Sequence, residues 1–165
     1  VSAANVLSSG GLPGVDRRDP GQVMTKMNEM FQMDRQDGKY FTMWYYRQTP
    51  EMQKNVKMLV REGRLEFANG GWSATDEACP NYEDILNNMN LGHSFLLKEF
   101  GVKPRVGWHL DAFGHSSANA RLFAEFGFEA MFFARLDRLD KEAKFKNRAM
   151  DFLWRPQSKH FGTQK

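Results

Sequence analysis

PRVGWHLDAFGHSSANARLFAEFGFEAMFFAR, residues 104–135, contains a complete strand–helix–strand signature. RVGWHLD is a short apolar run, and β-branched and aromatic residues of this kind suit a pleated, half-buried surface. Ser116 or Ser117 can cap a helix in which Ala118, Leu122, Phe123 and Phe126 face inward, and Gly127 follows its end. EAMFFAR, at 129–135, is a second apolar run. Two such runs joined by a helix point to parallel strands with a crossover connection.

Working outward, the same alternation recurs. YFTMWYY, from Tyr40, reads as an aromatic strand, and Thr49-Pro50-Glu51 then starts a helix whose Met52, Val56, Leu59 and Val60 share a face. RLEFANGG, residues 64–71, reads as a strand ending in a tight Gly-Gly turn. Asn81 with Asp84 resembles a capping box and opens a helix through Ile85, Met89, Leu96 and Phe100 to Gly101. AMDFLW, 149–154, reads as a final strand after a charged connection, and Val23, Met27, Met30 and Phe31 mark an earlier helix behind a Gly/Ser/Pro-rich lead-in. The expected order is βαβαβαβ and then β, an α/β fold with a parallel sheet, either doubly wound or closed into a barrel. Both architectures place ligands at the carboxyl ends of the strands. Those ends carry Gly70-Gly71-Trp72 with Asp76-Glu77, then His109-Leu110-Asp111, then Arg135, then Arg155.

Composition narrows the function. The 165 residues are 41% hydrophobic and 26% charged, which are globular values. The net charge is +3, and from Arg135 onward nine Lys/Arg stand against four Asp/Glu, with no nucleic-acid-binding motif among them. A solvated basic face is the expectation, without a nucleic-acid partner. No apolar run is long enough for a membrane span, and VSAANVLSSGG lacks the basic and apolar regions of a secretory signal. The lone Cys79 rules out an internal disulfide and a multi-cysteine zinc site within this sequence. Aromatic content of 13% suits either a dense core or a surface on which rings stack against sugars.

Trp108-His109-Leu110-Asp111-Ala112-Phe113-Gly114-His115-Ser116 concentrates two imidazoles, a carboxylate and aromatic rings around one strand-to-helix turn. The dipole of the following helix favours a charged Asp111, suited to metal binding or nucleophilic attack, or else to capping the helix. His109 and His115 fit either metal ligation or hydrogen bonding within a core. No GxSxG, HExxH, GxxxxGK or GxGxxG occurs, so serine hydrolase, zincin, P-loop and dinucleotide chemistry are excluded as motif-based readings.

GRLEFANGGW followed by DEA, then RVGWHLDAFGHS, FFARLDR and FLWR, resembles in order and spacing the class II α-mannosidases of glycoside hydrolase family 38, closest to the lysosomal type. The resemblance runs from about Tyr40 to Arg155. It implies part of a seven-stranded (β/α) barrel over 39–156, with 1–38 as a lead-in holding one helix and 157–165 as a tail. It further implies a retaining, zinc-dependent glycosidase acting on terminal α-mannosidic bonds of N-glycans or oligomannosides, in the lysosome or elsewhere in the secretory pathway. Asp111 matches the family's nucleophile, which also ligates zinc; Phe113 matches a sugar-subsite aromatic residue, and Arg135 an arginine beside the nucleophile. A guanidinium in that place fixes the orientation of a carboxylate.

The chain has Ala112 where the family usually has Pro, and it contains no H-x-H-x-D block. The remaining zinc ligands and the general acid of the family lie outside the matching blocks. The remainder of the catalytic domain is therefore expected to be needed for activity. Two other readings use fewer parts: a metal-dependent deacetylase-like barrel built on His109, Asp111 and His115, and a non-catalytic sugar-binding remnant.

Overall fold

A computed structural model of the chain describes residues 38–154. The Val23–Phe31 helix and Arg155 of the sequence reading lie outside the described residues. The described elements are α1 (Gly38–Tyr46), α2 (Pro50–Arg61), α3 (Tyr82–Phe100), β1 (Val106–His109), α4 (Ser117–Glu125), β2 (Ala130–Phe133) and α5 (Arg138–Lys146). They fall into two compact units. Among the described residues, one comprises 38–74 together with Leu86–Pro104, and the other Thr75–Ile85 together with 105–154.

In the first unit, YFTMWYY is helical and not a strand. Its β propensity yields to i,i+3 and i,i+4 ring contacts and to tertiary packing. Phe41 meets Trp44 and Tyr45 along its own helix, and Phe67, Phe95 and Phe100 across the unit. Tyr45 is buried beside Phe95 and Phe100. Burying one such large side chain contributes about 1.5–3 kcal/mol. Helix α2 forms as its sequence directs, with Thr49 accepting from Met52 N, Pro50 at the start, and Val56, Leu59 and Val60 buried. Glu99 of α3 ties the three helices together, accepting from Tyr46 Oη at 3.1 Å and Lys57 Nζ at 3.3 Å.

RLEFANGG is also not a strand. Asn69 and Gly70 take positive φ of 59° and 78°, which breaks extended geometry, and the hydrogen bonds of the segment go to helices. Gly71 O and Trp72 O accept from Gly38 N and Lys39 N, so they satisfy the first donors of α1, while Trp72 N donates to Asn88 O in α3.

His93 of α3 donates from Nε2 to Asn69 O at 2.8 Å, and burial holds its imidazole below the usual value of 6.5. The unfolded chain therefore takes up a proton near pH 6.5 while the folded chain still resists it, so stability is full above that pH. It declines as pH falls from about 6.5 toward the lowered folded value. Thermal melts between pH 7.5 and 5 are expected to show a smaller loss of Tm for His93→Gln than for the wild type, since Gln keeps a donor without titrating. Equal losses would sink this account.

The second unit carries the expected βαβ element. Asn81 N donates to Asp84 Oδ2 at 3.2 Å to open α3, and Ser116 Oγ accepts from Ala118 N at 3.1 Å to open α4. Strands β1 and β2 pair in parallel, with Val106 opposite Ala130 and His109 opposite Phe133. Gly107 leaves room for the rings of Phe123 and Phe128, which a Cβ would meet at 3.0–3.1 Å. Gly107 and His109 thus share the buried face, while Trp108 on the other face meets Phe132. On α4 the inward residues are Asn119 and Phe123, whereas Ala118 is exposed, contrary to the sequence reading.

The charged connection after β2 is itself a helix, α5, capped by Asp137 and laced by Arg138–Glu142 and Lys144–Asp140 pairs. Each such exposed pair is worth only about 0.3–0.5 kcal/mol. AMDFLW contains no strand; Phe152 instead meets Phe133 and the Lys144 ammonium. Among the described residues no helix is long and apolar enough to cross a membrane.

Candidate functional site

The candidate residues of the second unit gather where β1 and β2 end. Leaving β1 at His109, the chain turns through Leu110–His115 and enters α4 at its Ser116 cap. Asp111 sits in this turn and meets Arg135, two residues past the end of β2. Parallel pairing in register puts the two strand ends side by side, so residues 24 apart in sequence become neighbours. Arg135 donates from Nε at 3.0 Å and from Nη2 at 2.6 Å, both to Asp111 Oδ1. Oδ2 takes neither of these bonds. The Asp111 side chain is 74% exposed, and Phe113, 73% exposed, lies with its ring centroid 4.6 Å from the Arg135 guanidinium carbon. The Arg135 fork is thus held from two directions, by the carboxylate and by a π face.

All three residues singled out from the sequence, Asp111, Phe113 and Arg135, stand together. Chemically, an exposed carboxylate with one oxygen fixed by a guanidinium can attack an electrophilic carbon or offer an oxygen to a hard or borderline cation. Its donor chemistry suits zinc as one ligand of several. Among the described residues, however, Asp111 belongs to no group of three donors close enough to share an ion.

The group that does come together is Glu77, His109 and His115. This corrects the deacetylase-like alternative, in which His109, Asp111 and His115 would form the set. Glu77 had appeared at a predicted strand end with no role assigned. Its side chain is only 7% exposed, and His109 only 1%. His109 donates from Nε2 to Glu77 Oε1 at 2.7 Å, and Asn119 Nδ2 donates to the same oxygen at 3.1 Å. Ser116 N donates to Glu77 Oε2. His115 donates from Nε2 to Arg135 O at 2.8 Å and places Nδ1 3.8 Å from Glu77 Oε1. With both oxygens of Glu77 accepting hydrogen bonds, this group reads as a buried network under the turn rather than as an open ligand set.

Asp76, next to Glu77, closes a tight turn by accepting from Ala78 N at 2.8 Å, and that bond holds its carboxyl below the usual range. Cys79 in the same stretch is exposed, and its thiol is pushed up by its hydrogen bond to Asp76, which leaves it a poor nucleophile.

Residues 22–160 match the family model described as the glycosyl hydrolases family 38 N-terminal domain. Among similar curated proteins, the lysosomal alpha-mannosidase of Cavia porcellus is 50% identical over 118 residues, and that of Homo sapiens 48% identical over 118. The lysosomal alpha-mannosidase of Dictyostelium discoideum is 47% identical over 116 residues. Each alignment covers 70% of this chain and 12% of the relative, so the chain spans about one eighth of the length of the proteins it matches.

Proposed function

The chain belongs to glycosyl hydrolase family 38, and on that premise we propose that it forms part of the catalytic domain of a retaining α-mannosidase in which Asp111 is the nucleophile. The observation that carries this reading is the Asp111–Arg135 pair at paired strand ends, with one carboxylate oxygen fixed and the side chain open to a ligand. The β1–α4–β2 unit then forms two neighbouring strands of a seven-stranded (β/α) barrel. The lysosomal relatives support a lysosomal or secretory-pathway location and terminal α-mannosides of N-glycans or oligomannosides as substrates.

In this mechanism Arg135 holds Oδ1, so Asp111 presents Oδ2 to the anomeric carbon of the bound mannoside. The C–O bond to the leaving group breaks as the Asp111 ester forms, and the departing oxygen takes a proton from a second carboxyl group. Water, deprotonated by that same group, then cleaves the ester and restores the original anomeric configuration. Phe113 offers its exposed ring to a sugar face while bracing Arg135. Asp111 would be one ligand of a zinc ion whose remaining ligands, like the acid/base carboxyl, come from the rest of the full-length domain. Zinc, when bound, supplies Lewis-acid anchoring of sugar hydroxyls.

Proton NMR of the full-length protein acting on an aryl α-mannoside is expected to show α-mannose as the first product. Chelation is expected to remove activity and added zinc to restore it. Initial release of β-mannose, or no hydrolysis at all, would overturn the reading.

A further inference from the structure

We propose that Glu77 is the positioning residue of the site: a single buried carboxylate that sets the geometry of the Asp111–Arg135 pair from beneath, an inference resting on the mannosidase reading above. Its hydrogen bonds hold the turn that carries Asp111, and His115 beside it is bonded to the main chain of Arg135. On the Asp111 side, His109 stands two residues before the nucleophile and Ser116 five after it, and both donate to Glu77, His109 to Oε1 and the Ser116 amide to Oε2. The turn carrying Asp111 is therefore pinned at each end to one carboxylate. On the Arg135 side the link is by packing: His115 Nδ1 lies 3.8 Å from Glu77 Oε1, beyond hydrogen-bond reach, while its Nε2 donates to the Arg135 carbonyl and its ring is set edge-on against Phe133 of β2. Asn119, one turn into α4, adds a further donor to Oε1 and fixes the helix against the same anchor.

Two features separate this arrangement from ordinary core satisfaction. Arg135 and the Phe113 ring brace the Asp111 side chain, but the turn that carries Asp111 and Phe113 lies outside helix and strand, so these contacts leave its backbone without an anchor. Glu77 beneath it supplies one: a nearly inaccessible carboxylate bound by charge-assisted hydrogen bonds, which are short and directional. Catalytic geometry needs tolerances that only such support supplies, and a misplacement of about 1 Å can cost on the order of 100-fold in rate.

Glu77→Gln is the informative change. Gln keeps the shape and one acceptor for Ser116 N, but its amide nitrogen cannot accept from His109 Nε2 or Asn119 Nδ2. In the full-length protein, assayed at saturating zinc on an aryl α-mannoside, it is expected to lower kcat by about 10- to 100-fold, the usual cost of losing an outer support. KM is expected to stay within about twofold, because only positioning in the transition state is lost. With Arg135 already changed to Lys, the same substitution is expected to cost no more than about threefold, since both changes act through the same pair.

An unchanged kcat, a change in KM alone, or the full additional loss in the Arg135→Lys background would overturn the assignment. Thermal melting checks the fold. If Glu77→Gln fails to fold, His115→Phe keeps the ring against Phe133 and removes the bond to Arg135 O; a lower kcat at constant KM supports the proposal, and an unchanged kcat overturns it. A wild-type protein that turns over no mannoside overturns the mannosidase reading and this inference with it, whereas an active wild type with an unaffected Glu77→Gln overturns this inference alone.

Discussion

Asp111→Asn in the full-length protein is expected to lower kcat on α-mannosides on the order of 10⁴-fold while leaving the protein folded. The substitution removes the charged oxygen that would form the ester but keeps a carbonyl oxygen able to accept both Arg135 hydrogen bonds at the Oδ1 position. Asn has the same shape and keeps the acceptor for both Arg135 bonds, so the fold is expected to be retained. Steady-state kinetics with a melting curve checks both parts. Activity retained within tenfold would remove Asp111 from the nucleophile's place, since no other group would then need its charge. Loss of folding would instead mean that the carboxylate is structural.

The legibility of this chain followed the range of the interactions. Helices α2 and α3 and the β1–α4–β2 unit are readable because their signals are local: Thr49-Pro50, Asn81 with Asp84, Ser116, and short apolar strands all act within a few residues. Asp111 and Arg135 follow the two apolar runs in the sequence, and the parallel register brings those strand ends together. The segment at 40–46 misled because aromatic residues favour strands on average, whereas Phe41 and Tyr45 lie one helical turn apart and share partners in Phe95 and Phe100. RLEFANGG misled because its last carbonyl, Gly71 O, together with Trp72 O, satisfies the start of α1, a requirement invisible in its own sequence. Glu77 stands among the strand-end residues, but nothing local distinguishes its role from that of Asp76. Its partners His109, Ser116 and Asn119 are 32, 39 and 42 residues away, so only folding discloses that this acid is the buried one while Asp76 beside it closes a surface turn.

Gly92→Ala is expected to destabilise the chain by about 3 kcal/mol or more, because overpacking against backbone cannot relax by rotamer change. Propensity predicts the opposite sign: in an exposed helix interior, Gly to Ala gains about 1 kcal/mol. Here a Cβ on Gly92 would overlap Gly70 O and approach Gly71 C and Trp72 N at 2.8 and 2.9 Å, all main-chain atoms. That backbone has no freedom to retreat. Trp72 N is bonded to Asn88 O at 3.0 Å, Ser73 N to Asn88 Oδ1 at 2.7 Å, and Asn88 Nδ2 to Ser73 O at 2.8 Å, while Gly71 O and Trp72 O hold the first amides of α1. Moving the segment would therefore unseat the start of one helix and the docking of another together. Asn90→Ala, at an exposed position two residues earlier, is the control and is expected to be neutral or slightly stabilising. Denaturant melts of both variants decide the matter: a Gly92→Ala protein as stable as Asn90→Ala would mean that the Gly70–Trp72 segment does not lie against α3. In the full-length protein the loss should appear as less folded protein with kcat per folded molecule preserved, which distinguishes this steric lock from the positioning role proposed for Glu77.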